Sequence, residues 1–247
     1  MSDCKSVATP FATDIQLVKD DGSKSVDHTP YQSNVGSLLY ASTATRPDIA
    51  HSVGVLSKFN SMPTQTHLTA AKRVLRYLKG TMDYGITFNK TDTQPVGYSD
   101  ANWAENDESR HSISGNVFMS SSGPISWFSK RQSTIALSST EAEYIAAFEA
   151  AKEAAWLRQL FVDITRETLP PIVLRIDNQS AISIANNTNV SKRSKHMDIK
   201  YHYIRQEVQN HNIVTEYCPT DDMIADIFTK PLPKIRFEKV RVMLNVG

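Results

Sequence analysis

A chain of 247 residues with 40% apolar and 21% charged residues and only 9 glycines and 11 prolines has globular composition, which excludes collagen-like, low-complexity and membrane-embedded classes. The formal net charge of +1 gives no overall attraction to nucleic acid, so any basic surface must arise by local clustering. Cys4 and Cys218 show no metal-type spacing and indicate neither a disulfide framework nor a zinc site; no apolar run approaches the roughly 20 residues of a membrane span.

Residues 1–30 carry Ser, Thr, Asp, Pro and Lys without apolar periodicity and read as an irregular arm. From Tyr31 the pattern turns helical. Val35, Leu38 and Leu39 share one face; Pro47 sits at a first-turn position ahead of Ile49, Val53, Leu56 and Phe59. A third helix, about 67–77, turns Leu68, Ala71, Val74 and Leu75 inward and groups Lys72, Arg73, Arg76 and Lys79 along one edge before Gly80. Residues 31–90 thus form a small helical module, ending in a strand-like stretch at 85–88.

A domain over 94–232 follows, with 233–247 as a tail. Its first strand, Val96-Gly97-Tyr98-Ser99-Asp100, ends in an acid. Strands at 114–119 and 125–129 flank a Ser-Ser-Ser-Gly-Pro turn. Ser138 opens a long amphipathic helix whose core face includes Tyr144, Ala147, Phe148, Ala151, Ala155 and Leu160, stopped by Pro170 and Pro171. A strand at 172–176, helices near 178–185 and 201–208, a strand at 213–217 and a closing helix from Thr220 complete the order β-β-β-α-β-α-α-β-α. That order predicts an α/β fold, a mixed five-stranded sheet with flanking helices, and such sheets place ligand sites at strand ends.

Four acids fall near one sheet edge: Asp100 on the first strand, Glu141 in the first turn of the long helix, Asp177 after the fourth strand, and Asp226. Like charges repel, so such a cluster is tolerable when cations neutralise it. Oxygen-only ligands suit Mg2+ or Mn2+, and two such ions can activate water and stabilise the leaving oxygen of a phosphodiester. Each acid also has a structural reading. Glu141 completes a Ser-x-x-Glu capping box with Ser138, Asp177 is a candidate N-cap for the helix at Asn178, and Asp226 can be simply solvated.

Tyr-Ser-Asp-Ala-Asn-Trp-Ala (98–104), Ser-Ser-Thr-Glu-Ala-Glu-Tyr (138–144), Asp-Asn-Gln-Ser-Ala (177–181), Lys-His-Met-Asp-Ile (195–199) and Ala-Asp-Ile-Phe-Thr-Lys (225–230), in this order, resemble the RNase H region of copia-type retrotransposon Pol polyproteins. Gly36-Ser-Leu-Leu-Tyr40, Thr45-Arg-Pro-Asp-Ile49 and Arg76-Tyr-Leu-Lys-Gly80 are similar to the stretch that joins reverse transcriptase to RNase H in that family. The resemblance implies an RNase H-like fold and makes Asp100, Glu141, Asp177 and Asp226 the metal-binding and catalytic quartet of a nuclease cutting RNA in RNA–DNA hybrids, with two Mg2+ or Mn2+ ions. Asp198 is the alternative fourth acid. It also implies a reverse transcriptase polymerase region as a partner in the parent polyprotein, although no polymerase Asp-Asp strand motif occurs here. Thr220-Asp221-Asp222 reads as helix-start chemistry instead. The opening Met-Ser-Asp-Cys-Lys is similar to an internal polyprotein stretch, which suggests an excised element. Cytoplasm and nucleus are both compatible with the family.

The edge of Lys72, Arg73, Arg76 and Lys79 and a second cluster, Lys192, Arg193, Lys195 and Lys200, are the candidate nucleic-acid contacts. Solvation alone explains the first equally well. His196 and His202 are poorly spaced for one helical face, so no zinc is expected; Trp127 and Trp156 are expected in the core. Against the nuclease stand two other readings: a catalytically silent nucleic-acid-binding module, and a module that docks on a polymerase.

Overall fold

The computed structural model describes residues 4–89, 94–103, 110–186 and 198–247, with 198–201 through their backbone only. Helices α1 (His28–Ala44), α2 (Ala50–Ser57) and α3 (Gln65–Lys79) come first. Asp27 accepts from the Thr29 amide at the start of α1, and Pro47 opens the short 3-10 turn leading into α2, where its missing N–H costs nothing. At α3, Thr64 and His67 form a reciprocal cap in which the Thr64 amide donates to His67 Nδ1.

Strands β1 (Val96–Asn102), β2 (Ile113–Ser120) and β3 (Gly123–Arg131) form an antiparallel meander, followed by α4 (Ser139–Thr165). The chain continues through β4 (Ile172–Ile176), α5 (Gln179–Asn186), α6 (Asp198–Gln209) and β5 (Ile213–Tyr217) to α7 (Lys234–Met243). The sheet order is β3-β2-β1-β4-β5, with β4 parallel to β1 and β5 parallel to β4. This is the mixed five-stranded sheet with flanking helices expected from the element order.

A strand has two faces, and successive side chains divide between them. Phe118 joins a core with Ala101, Leu174, Ile176 and the buried stripe of α4; Val117 joins a second core with α1–α3, Phe228, Phe237 and Val240. The α4 stripe is dominated by alanine, at 142, 146, 147, 150, 151 and 154. With so little side chain between them, helix and sheet approach closely. Ala154 and Leu157 carry this stripe into the second half of the helix, which turns Trp156 outward to 56% exposure. The expected core position of Trp156 is therefore corrected. Trp127 does pack on the second core, and its indole N–H donates to the Ser42 carbonyl.

Three other expectations are revised. Residues 85–88 make one isolated bridge, Ile86 to Val246, rather than a strand. Two 3-10 turns, Thr220–Asp222 and Ile224–Phe228, stand where a single closing helix was expected. Residues 233–247 contain α7, whose Phe237 and Val240, with Leu244 just after it, enter the same core as Tyr31, Val35 and Tyr77. Among the described residues, no helix is long and apolar enough to cross a membrane.

Candidate active site

Parallel pairing of β1 and β4 runs to Ser99 opposite Ile176, so the next residues, Asp100 and Asp177, emerge side by side. Asp100 is 2% exposed. Glu143, on the buried face of α4, reaches across to accept from the Ala101 amide through Oε1 at 3.2 Å. One oxygen from each of Asp100, Glu143 and Asp177 falls within 4.8 Å of the others.

The structure thus brings Glu143 to the cluster where Glu141 was expected. Glu141 Oε2 accepts from the Leu137 amide at 2.9 Å, while its own amide donates to Ser138 Oγ. Its carboxylate is used in starting the helix, the structural reading weighed from the sequence. The reverse holds for Asp177: α5 starts one residue later than expected, Asn178 Oδ1 accepts from the Ala181 amide, and Asp177 is left to accept from Thr220 Oγ1 at 3.2 Å.

Asp226 lies beside this group on the 3-10 turn Ile224–Phe228, 3% exposed. Its oxygens meet Lys230 Nζ at 2.7 Å and an Arg236 guanidinium nitrogen at 3.1 Å. It is far from simply solvated. Lys230 also stands 3.8 Å from Asp100 Oδ2, which accepts a hydrogen bond from the Thr229 hydroxyl.

Crowding and burial act on these groups together. Burial, with the negative charges of Asp226 and Asp177, pushes the Asp100 carboxyl up to about 6 against the opposing pull of Lys230 and Thr229. Burial and the Asp100 and Asp177 charges raise Glu143 well above the usual carboxylate range. Burial raises Asp177 too, despite the Thr220 hydrogen bond. For Lys230, burial opposes the charge, but Asp100 and Asp226 outweigh it and hold the ammonium protonated. Glu143 Oε2 is buried and has no hydrogen-bond partner among the described residues. A bare carboxylate oxygen in such a place is costly unless something positive meets it. Three converging carboxylates with one unsatisfied oxygen fit a hard divalent cation, whose ligands are oxygens.

The two basic surfaces fare differently. Along α3, Arg73 donates to Thr9 Oγ1, Arg76 to the Lys5 carbonyl and Lys79 to the Cys4 carbonyl, at 3.0, 2.7 and 2.9 Å. That edge is where the N-terminal arm docks; Lys72 remains exposed. Lys192, Arg193, Lys195 and His196 lie outside the described residues, as do the side chains of Asp198 and Lys200.

No protein-family model matches the chain. Its whole length aligns at 39% identity, over 252 residues, with the retrovirus-related Pol polyprotein from transposon TNT 1-94 of Nicotiana tabacum. The chain belongs to the Pol polyproteins of copia-type transposons. It spans 19% of the length of that relative. Secreted RxLR effector protein 161 of Plasmopara viticola is 54% identical over 131 residues, covering 53% of this chain and 92% of that protein. Among solved structures, LC11-RNase H1 in complex with an RNA/DNA hybrid is similar over 55% of this chain and 94% of that one, at 15% identity and a TM-score of 0.42. The fold of this copia-type Pol chain is RNase H-like by its own strand order and helix placement.

Sequence reasoning missed three residues of this cluster. Glu143 shares a motif with Glu141, and only the helical phase separates them. Thr229 and Lys230 close the Ala-Asp-Ile-Phe-Thr-Lys motif; Lys230, four residues after Asp226, was available as an i,i+4 partner.

Proposed function

We propose that this chain is a divalent-cation-dependent ribonuclease H that hydrolyses the RNA strand of RNA–DNA hybrids. The observation that carries this reading is the convergence of Asp100, Glu143 and Asp177, with one Glu143 oxygen buried and without a hydrogen-bond partner among the described residues. Membership in the Pol family supports the substrate class.

Asp100, Glu143 and Asp177 would hold the cations, and Asp226 is the proposed fourth acid. Bound Mg2+ or Mn2+, as a pair, supplies a water activated for attack on phosphorus and stabilisation of the leaving oxygen. The chain's own residues prepare that chemistry. The Ala101 amide orients Glu143 through one oxygen and leaves the other for a ligand. Thr229 holds Asp100, and Thr220 holds Asp177. Lys230, bridging Asp226 and Asp100, balances charge in the free site and is placed to meet a phosphate oxygen. The basic stretch containing Lys192, Arg193, Lys195 and Lys200 is the proposed seat for the duplex, with Lys72 as a further contact.

A second reading has one specific observation behind it. Lys230 is an internal cation already neutralising two of the acids, as a silent nucleic-acid-binding module would need. Cleavage of a labelled RNA–DNA hybrid in Mg2+ or Mn2+ separates the two. Hybrid-selective cutting, lost in Asp100→Asn and absent on single-stranded RNA, is the expected result; hybrid binding without cutting under either metal would establish the silent module.

A further inference from the structure

The N-terminal arm has no assigned part in this chemistry, yet Phe11 and residues 13–19 build one wall of a cleft. The arm is pinned on both sides of that wall. Phe11 is buried with its ring edge-on to His51, at 6.2 Å between centroids. At the other end the Val18 carbonyl meets His67 Nε2 at 3.0 Å, and Asp21 accepts from Thr64 Oγ1. Between these anchors residues 13–16 stay exposed and face the ends of β1, β2 and β3 across a cleft of about 930 Å3. That volume is at the upper end of the roughly 300–1,000 Å3 of small-molecule pockets.

Charge in the cleft is one-sided. Lys19, Lys58, Arg131 and Lys230 line it, with Asp14 as the only lining acid among the described residues. Among the described residues, four cations stand against one anion in the lining. The floor is continuous with the carboxylates: Asn102 follows Asp100 on β1, and Lys230 lies both in the cleft wall and 3.8 Å from Asp100. An elongated polyanion with one phosphate at Asp100 has its next phosphates led into this cleft.

We infer that the cleft between arm residues 13–19 and the ends of β1–β3 is a nucleic-acid channel, holding the sugar–phosphate backbone of a strand that continues from the carboxylate site. Lys19 and Arg131 on opposite walls contact phosphates, and the tethered arm acts as a fixed guide. This rests on the nuclease reading for the strand's origin but not for its binding.

The test measures binding without cutting. Affinity of the full chain for a fluorescent RNA–DNA hybrid is titrated in EDTA across a salt series, for the unaltered protein, Lys19→Glu with Arg131→Glu, and Lys152→Glu. Lys152 is a control on α4, paired there with Glu149. The channel predicts about tenfold or greater weakening for the double variant and near-unchanged binding for Lys152→Glu. It also predicts a salt slope shallower by about 0.7–0.9 for each phosphate that the double variant no longer neutralises. Equal affinity and slope in the double variant and the unaltered chain would overturn the channel, as would equal losses in both variants. The two proposals fail separately. Metal-dependent cutting with hybrid affinity indifferent to Lys19 and Arg131 removes the channel alone; affinity sensitive to them with no cutting removes the nuclease alone.

Discussion

Glu141 and Glu143 are separated by two helical positions, or about 200° around α4. One faces back toward the Leu137 amide and the other lies against the sheet. Their substitutions should therefore separate cleanly. Glu143→Gln should lower metal-dependent hydrolysis by more than about a hundredfold, since even outer-shell changes at metal sites reach 10–100-fold. Glu141→Ala should leave cleavage near normal and reduce stability by about 1 kcal/mol through the lost cap. Cleavage assays beside urea denaturation check both; loss of activity in Glu141→Ala with intact stability would restore it to the site.

The raised carboxyls also set a pH dependence. Asp100 in the folded chain holds its proton up to about 6, against an ordinary value of 3.8, and Glu143 is shifted in the same direction. Between these limits the folded state binds more protons than the unfolded state, so stability falls as pH rises through the window. In EDTA, the urea midpoint should be lower at pH 7.5 than at pH 5. Adding Mg2+ or Mn2+ at pH 7.5 should recover it, because a ligand bound only by the folded state stabilises by mass action. Asp100→Asn should flatten the pH slope and remove much of the metal response; an unchanged slope would mean that the strain lies elsewhere.

At the scale of elements, β2 and the turn Ile224–Phe228 touch almost backbone to backbone. A Cβ at Gly115 would stand 2.6 Å from Phe228 Cβ and 2.8 Å from Thr229 Cγ2. Gly115→Ala must push the turn outward, at a cost of about 1–3 kcal/mol. Thr229 and Lys230 would move with it, away from Asp100. Cleavage should then fall more at subsaturating than at saturating metal, a split that a purely global destabilisation would not produce.

Elements were also what the sequence made most legible. All five strands and the order of α1 to α6 around them follow from apolar periodicity and turn residues, whereas α7 was read as a tail; Asp100 and Asp177 follow from their places at adjacent strand ends. Local pattern singled out Glu141 by its capping-box spacing from Ser138 and passed over Glu143, whose approach to the acids shows only once the face of α4 is known. Trp156 was misplaced for a related reason: the buried stripe of α4 is carried by small alanines, which a search for large apolar residues passes over. Asp226 was readable as an acid near the site and Lys230 as its i,i+4 partner, but its tie to Arg236 on α7 depends on how the chain returns after the 3-10 turn.

For the whole molecule, the helical module and the sheet share one core. Val117 of β2, Phe228, and Phe237 and Val240 of α7 pack with Tyr31, Val35 and Tyr77, and the Tyr77 and Phe237 rings meet edge-on at 5.6 Å. Phe237→Ala should cost about 3–5 kcal/mol and lower the stability of α1–α3 and the sheet together. Calorimetry should show a single unfolding transition for the full chain, shifted down as a unit in the variant. Two resolved transitions, only one of them moved, would separate the module from the sheet.

The alanine seam of α4 has a consequence for how such a gene copy decays. Alanine codons become valine or threonine codons by a single base transition, and either residue would wedge the helix off the sheet and draw Glu143 away from Asp100. Six buried alanines offer twice the mutational target of the three clustered carboxylates. In a copy drifting without selection, inactivation through this spacer should precede loss of the acids, so an intact set of motif carboxylates is weak evidence that a given copy still works.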